Sequence, residues 1–214
     1  METENKNSNP NINNIWEKRI KEWGADFVYF VDTSLLPKDV VEGYSCVVLY
    51  GKALSKEYIR DMKDDQVPKH KEVNNVERKM DALAVKVSEQ LEAEGYKSTA
   101  KLTSGVLPHK TVALRAGLGF IGKNNLLVTD QYGCALMMGK VLTTAPFTAK
   151  SQEPKEPQCG DCHICANVCP THALHGRNWD VKTTRDEIIN RKLCVLCLKC
   201  MVNCPYTVKY INEL

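Results

Sequence analysis

Eight of the ten cysteines in this 214-residue chain fall into two copies of one pattern. The first copy is Cys159, Cys162, Cys165, Cys169 and Pro170; the second is Cys194, Cys197, Cys200, Cys204 and Pro205. Each reads C-x2-C-x2-C-x3-C-P, a spacing that suits a [4Fe–4S] cubane. Three thiolates two residues apart wrap a tight loop around one face of the cubane and leave one corner open. The fourth cysteine begins a new direction of chain, and the proline after it stops the loop folding back. Where two such runs occur together, the fourth cysteine ligates the other run's cluster. The spacing therefore predicts one cluster on Cys159, Cys162, Cys165 and Cys204, and a second on Cys194, Cys197, Cys200 and Cys169. Zinc sites use pairs of C-x2-C hooks rather than triplets with this tail. A disulfide framework needs an oxidising compartment.

The other reactive side chains read more plainly. Cys46 and Cys134 sit in apolar, strand-like stretches and are expected to be buried, inert thiols. His163 lies between ligands, and His172 and His175 follow Cys169 in a turn; all three read as surface residues. Trp16, Trp23 and Trp179 read as packing anchors.

Gly117-Leu-Gly119-Phe-Ile-Gly122 matches the dinucleotide fingerprint letter for letter. That fingerprint needs a strand before it and a helix after it, and here a helical stretch precedes and a strand-like one follows. With Lys123 it nearly makes a P-loop, but Asn124 stands where the magnesium-binding hydroxyl belongs. What remains is a glycine-rich turn where backbone approaches something closely.

The elements that must position these residues are legible from periodicity. Residues 1–13 are polar and Asn-rich and read as a disordered tail. Residues 15–23 read as a short helix stopped by Gly24, and residues 27–31 and 45–50 as strands, the second ended by Gly51. Residues 38–41 can make one helical turn and 56–62 a helix. In residues 72–94, Val73, Val76, Met80, Leu83, Val87 and Leu91 form one apolar helical stripe that Gly95 ends. Residues 96–102 read as a strand, 109–116 as a short helix behind Pro108, and 126–129 and 135–142 as strands joined around Gly133. Residues 147–158 read as a linker. Thr184-Arg-Asp-Glu187 has the form of a capping box and predicts a helix through Ile188 and Ile189 that delivers Cys194. The fold class is thus α+β: residues 14–150 as one domain, and 151–214 as a small two-cluster, bacterial ferredoxin-like domain.

Composition is that of an ordinary globular protein, 43% hydrophobic and 26% charged. A net charge of +3 from dispersed basic residues gives no nucleic-acid stripe. No apolar run reaches about 18 residues, so no membrane span is expected, and the first residues lack a signal core. Cluster thiolates without an export signal predict a cytoplasmic protein.

Residues 102–113, followed by Arg115-Ala-Gly-Leu-Gly-Phe-Ile-Gly-Lys-Asn-Asn-Leu-Leu127, resemble epoxyqueuosine reductase, and with the two cysteine runs the resemblance covers most of the chain. That family reduces an epoxide on a modified tRNA base to queuosine and is related to the reductive dehalogenases. The resemblance implies a nitroreductase-like core that binds cobalamin without its lower base, and a proximal cluster that passes electrons to cobalt singly. We expect the corrin at the turn of residues 119–124. There Gly117, Gly119 and Gly122 would let the macrocycle approach, and Lys123 and Asn124 would hydrogen-bond its arms. Aligned without gaps, the family's proton-donating Asp falls on Thr103, its Glu on His109 and its Lys on Lys110. A Thr hydroxyl is a poor general acid, whereas His109 can donate near neutral pH; Thr103 and His109 are the catalytic candidates. The chain ends ten residues past Cys204, before the helical repeats with which the family holds tRNA. With Thr103, this argues against tRNA as a partner. The reading is a cobalamin-dependent reductase of a small molecule or nucleoside, served by a ferredoxin or flavodoxin. The alternative is an electron-transfer or corrinoid-reactivating protein without substrate chemistry of its own.

Overall fold

The computed structural model describes residues 11–65, 71–100 and 106–213. In chain order its elements are α1 (Ile12–Glu22), β1 (Phe27–Asp32), α2 (Lys38–Val41), β2 (Cys46–Ala53), α3 (Lys56–Lys63), α4 (Lys71–Ala93) and β3 (Ser98–Thr99). There follow α5 (His109–Arg115), β4 (Phe120–Ile121), β5 (Leu127–Val128), β6 (Leu136–Thr143), α6 (Ile164–Asn167), α7 (Arg185–Ile188), α8 (Lys199–Val202) and α9 (Pro205–Asn212). Four strands make an antiparallel sheet in the order β1-β2-β6-β3.

β2 explains the layering. Its side chains alternate across the sheet: Cys46, Val48 and Tyr50 join the core built on α4, while Val47 and Leu49 join the core beneath α5. A strand buried on both faces must be apolar throughout, as this one is from Cys46 to Tyr50. The stripe of α4 packs on the first face with Val73, Val76, Met80, Leu83, Val87 and Leu91 all buried. Each such side chain contributes about 1.5–3 kcal/mol by leaving water. That first core continues into the cysteine-rich half through Met201, Val202, Cys204 and Ile211.

Several boundaries differ from the sequence reading. α1 starts at Ile12, inside the stretch expected as a tail, because Asn11 caps it and Asn13 exchanges hydrogen bonds with the backbone of Thr148 at 2.9 and 3.0 Å. Gly51 does not end β2; it pairs with Phe27 and Met138, and its missing side chain makes room for the Phe27 ring. The strand expected over 96–102 is only two paired residues among those described, held at the end of β6. α7 stops at Ile188 although its Thr184–Glu187 capping box forms, because Ile189 turns extended to bridge Leu174. The stretch 147–158 has no regular structure but is no loose linker. Lys150 N–H donates to Phe30 O, Gln152 N–H to Arg115 O, and Ser151 Oγ to Asp32 O.

Gly139 tests the packing. A Cβ there would lie 2.5–2.7 Å from the ring and hydroxyl of Tyr50, which is fully buried and donates to Met80 O at 3.2 Å. The ring has nowhere to move, so Gly139→Ala is expected to destabilise the protein by about 1–3 kcal/mol. A fall in the urea midpoint checks it.

Candidate metal centres and cofactor cavity

The eight cysteines line two cavities. One, of about 180 Å³, is lined by Cys159, Cys162, Cys165 and Cys204. The other, of about 380 Å³, is lined by Cys169, Cys194, Cys197 and Cys200. The fourth cysteine of each run therefore lies at the other run's triplet. Cys204 reaches the first triplet because it caps α9, whose Thr207 and Ile211 are buried in the main fold. The loops curl by left-handed residues at Gly160, Leu196 and Leu198. A leucine held there costs about 1–2 kcal/mol, which only a firm requirement on loop shape offsets.

Burial, then the neighbouring Cys159 and Cys204, pushes Cys165 up to about 11. Burial, then Cys165 and Cys197, pushes Cys200 up to about 12. Thiolates crowded this way need a cationic core, and binding one releases their protons. Among the described residues no three His, Cys, Asp or Glu side chains converge closely enough for a single metal ion. Four cysteines at each cavity are the donor set that a [4Fe–4S] cubane takes. Asn124 lines both cysteine cavities, so the two sites adjoin.

The glycine-rich motif serves this half of the molecule. β4 and β5 pair as a small hairpin, and α5 precedes it, so the dinucleotide geometry is absent. A Cβ on Gly119 would strike Val128 O, and one on Gly122 would lie 2.8 Å from both Asn124 Oδ1 and Val128 Cγ2. Gly117 turns with φ +70° against Gln152. Buried Lys123 donates to Gly160 O at 2.7 Å, and buried Asn124 donates to Cys200 O at 3.3 Å. Gly122, Lys123 and Asn124 line the first cysteine cavity, and none of the five motif residues lines the large cavity beside α4 and α5. The motif brings backbone close to the cysteine loops and to its own hairpin.

A large cavity, of about 520 Å³, opens between α4, α5, the β4–β5 hairpin and β6. Ile121, Leu127, Leu136 and Met138 give it apolar walls; Lys110, Asn125, Trp179 and Arg185 give it polar groups. Lys110, Asn125, Leu126 and Arg185 line both this cavity and that of Cys169, Cys194, Cys197 and Cys200. The second cysteine site thus adjoins the large cavity.

Of the catalytic candidates, Thr103 lies outside the described residues. His109 lines the large cavity, but burial and then Lys140 lower its pKa to about 4. Its imidazole is thereby held neutral at pH 7. Lys110, the next residue, also lines this cavity. Burial, then Arg185, lowers it to about 8, so it stays mostly protonated at pH 7. It donates to Asn125 O and Oδ1 at 2.7 and 3.1 Å. Sequence reasoning passed over Asn125 and Arg185, read Trp179 as a packing anchor, and named Lys110 only as the position of the family's Lys. A signal existed for Lys110, a cation in the first turn of a helix, where the macrodipole disfavours it.

The His109 shift has a measurable consequence. Unfolded His titrates near 6.5 and folded His109 near 4, so the unfolded chain binds the extra proton between those values. Stability therefore falls as pH drops from 6.5 toward 4, by about 2 kcal/mol at pH 5. His109→Leu should flatten this dependence, as urea unfolding of cluster-loaded protein at pH 7 and pH 5 can show.

Residues 158–208 match the family of 4Fe-4S dicluster domains. Epoxyqueuosine reductase of Lactococcus garvieae is 40% identical over 84 residues, 39% of this chain and 23% of that protein. The Staphylococcus aureus enzyme is 37% identical over 102 residues, 46% of this chain and 25% of its own. The chain resembles epoxyqueuosine reductase. Its matches span about a quarter of these curated relatives' length. The Streptococcus thermophilus epoxyqueuosine reductase structure aligns with TM-score 0.67 and 21% identity over 96% of this chain and 68% of that one. An epoxyqueuosine reductase solved with an epoxyqueuosine-modified tRNA-Tyr stem loop aligns with TM-score 0.61 and 18% identity, over 92% and 65%. A catabolic reductive dehalogenase aligns with TM-score 0.59 and 19% identity, over 78% and 26%. The α+β fold joined to a dicluster segment is therefore the fold shared by these reductases and dehalogenases. Among the described residues no helix is long and apolar enough to cross a membrane.

Proposed function

We propose that the chain is an iron–sulfur oxidoreductase of the epoxyqueuosine reductase type, which moves electrons through two [4Fe–4S] clusters to a corrinoid in the large cavity and on to a substrate there. One observation carries this reading: the large cavity and the cavity of Cys169, Cys194, Cys197 and Cys200 share a wall of Lys110, Asn125, Leu126 and Arg185. Electrons would enter at the cluster of Cys159, Cys162, Cys165 and Cys204 and leave by the proximal one.

The cavity's volume lies in the range of about 300–1,000 Å³ typical of ligand pockets. Its apolar walls suit the face of a flat macrocycle, and Asn125, Trp179 and Arg185 can hydrogen-bond amide arms. A related reductive dehalogenase is described as B12-dependent. A corrinoid bound here supplies a cobalt that takes up electrons one at a time. The protein's own part is to orient, to exclude water and to place a proton. Lys110, at the junction of cluster and cavity, holds that proton on Nζ, and Asn125 fixes the ammonium.

Cluster thiolates suit a reducing cytoplasm, and a ferredoxin or flavodoxin suits the donor role. The tRNA stem loop bound by one reductase runs against excluding tRNA, so the substrate class includes a modified nucleoside, free or carried on RNA. The test is anaerobic reduction of cobalamin by the cluster-loaded chain with a reduced ferredoxin as donor. Appearance of reduced cobalamin in the visible spectrum, faster than with donor alone, is expected. Oxidised clusters and unchanged cobalamin would leave an electron carrier instead.

A further inference from the structure

Lys123 is a cation that the fold buries without an acid beside it. It is 4% exposed, and among the described residues it makes no ion pair. Its Nζ donates to Gly160 O at 2.7 Å, 37 residues on. Gly160, at φ +48°, lies in the ligand loop between Cys159 and Cys162. The turn that carries Lys123 is closed by hydrogen bonds from Gly122 N–H to Leu126 O at 3.0 Å and from Asn125 N–H to Gly122 O at 2.8 Å. The side chain is therefore anchored by a hairpin that is no part of the cysteine run. Apart from the cysteines, no other charged side chain among the described residues lines the first cysteine cavity. The second cavity differs, with Lys110, Arg185 and Arg191 in its lining. A buried ammonium is costly unless it is paired. One carbonyl oxygen does not supply the missing charge. Four thiolates do, because together they outweigh the positive charge of the iron core they hold.

We propose that Lys123 is the counter-ion of the first cluster, a positioning residue whose fixed charge raises that cluster's reduction potential. This rests on the cluster assignment proposed above. Reduction adds an electron to a group that is already an anion, so a cation held beside it stabilises the reduced form more than the oxidised one. Burial strengthens the effect, since salt screens a buried charge much less than an exposed one. The hydrogen bond to Gly160 O ties the same ammonium to the ligand loop, so the charge stays beside the cluster. The effect is local: Lys123 lines the first cavity and not the second, which has cations of its own.

The test is potentiometric titration of the cluster-loaded full chain, followed by electron paramagnetic resonance after iron and sulfide assay. Absence of clusters in the unmutated chain would overturn the assignment itself, and this proposal with it. With clusters present, two variants separate charge from hydrogen bonding. Lys123→Gln removes the charge and keeps an N–H donor; Lys123→Met removes both. Each should move the first cluster's midpoint to more negative potential, by similar amounts, and leave the second cluster's in place. A shift in Lys123→Met alone would make Lys123 a mere loop tie and overturn the counter-ion role. Unchanged midpoints, or equal movement of both clusters, would overturn it too, with the assignment intact. If only one of the two loads, its own midpoints decide. Should neither load, Lys123→Arg decides, because it keeps the charge: a first cluster that loads with the parent's midpoint supports the proposal, and failure to load makes the requirement one of shape and overturns it.

Discussion

Cys204→Ser should abolish the cluster held by Cys159, Cys162 and Cys165 and spare the one beside Cys194, Cys197 and Cys200. Cys169→Ser should do the reverse. The expectation follows from where the structure puts the fourth cysteines: Cys204 at the first cavity and Cys169 at the second. The unmutated chain should carry about eight irons and eight sulfides, and each variant about half. Because the Cys134 backbone N–H donates to Thr207 Oγ1, three residues past Cys204, a spare thiol stands near the vacated corner. The variant is best made together with Cys134→Ala, so that no substitute ligand confuses the count. Electron paramagnetic resonance of the two variants should give two different single-cluster signals that sum to the parent spectrum. Loss of the cluster beside its own run in each variant would overturn the crossed assignment, and stoichiometric zinc without sulfide would overturn the clusters altogether.

Thr111→Trp should abolish cobalamin binding without harming the clusters. Thr111 lines the large cavity from α5 and is only half-buried, so an indole there fills the cavity without entering the core. Cobalamin added to the cluster-loaded parent should shift its visible spectrum on binding. The dissociation constant in Thr111→Trp should rise at least tenfold, about 1.4 kcal/mol. Gly122→Val provides the contrast. Gly122 lies at the first cysteine cavity with Asn124 and Val128 packed against it, away from the large cavity. This substitution should weaken retention of the first cluster and leave the cobalamin shift nearly intact. If Gly122→Val instead removes the shift and Thr111→Trp keeps it, the corrin lies at the glycine turn after all.

The cysteine spacing was legible in the sequence because its information is local. Three ligands within seven residues must wrap one face of one object, and no distant contact changes that. The stripe of α4 was legible for the same reason, since a helical period reports a buried face whatever covers it. The chain alone also showed that Gly117–Leu-Gly-Phe-Ile-Gly122 was out of context for a nucleotide site. What those glycines are close to was a tertiary matter. Only the folded chain shows Gly119 against Val128 O, and Lys123 and Asn124 turned to the cysteine loops.

The same division separates His109 from Lys110. They are neighbours on one helix turn, and sequence chemistry favours the imidazole as a donor near neutral pH. Burial, with Lys140 arriving from a distant strand, makes the imidazole neutral, while Lys110 keeps its proton with Asn125 beside it. A pKa in a protein is set by solvent exclusion and by charges brought close in space, and neither is written in the local sequence. Cys134 is the sharpest case. By sequence it is one small apolar residue in an apolar stretch. Its backbone N–H reaches Thr207 Oγ1 of α9, 73 residues on, because Gly133 lets the chain approach that helix.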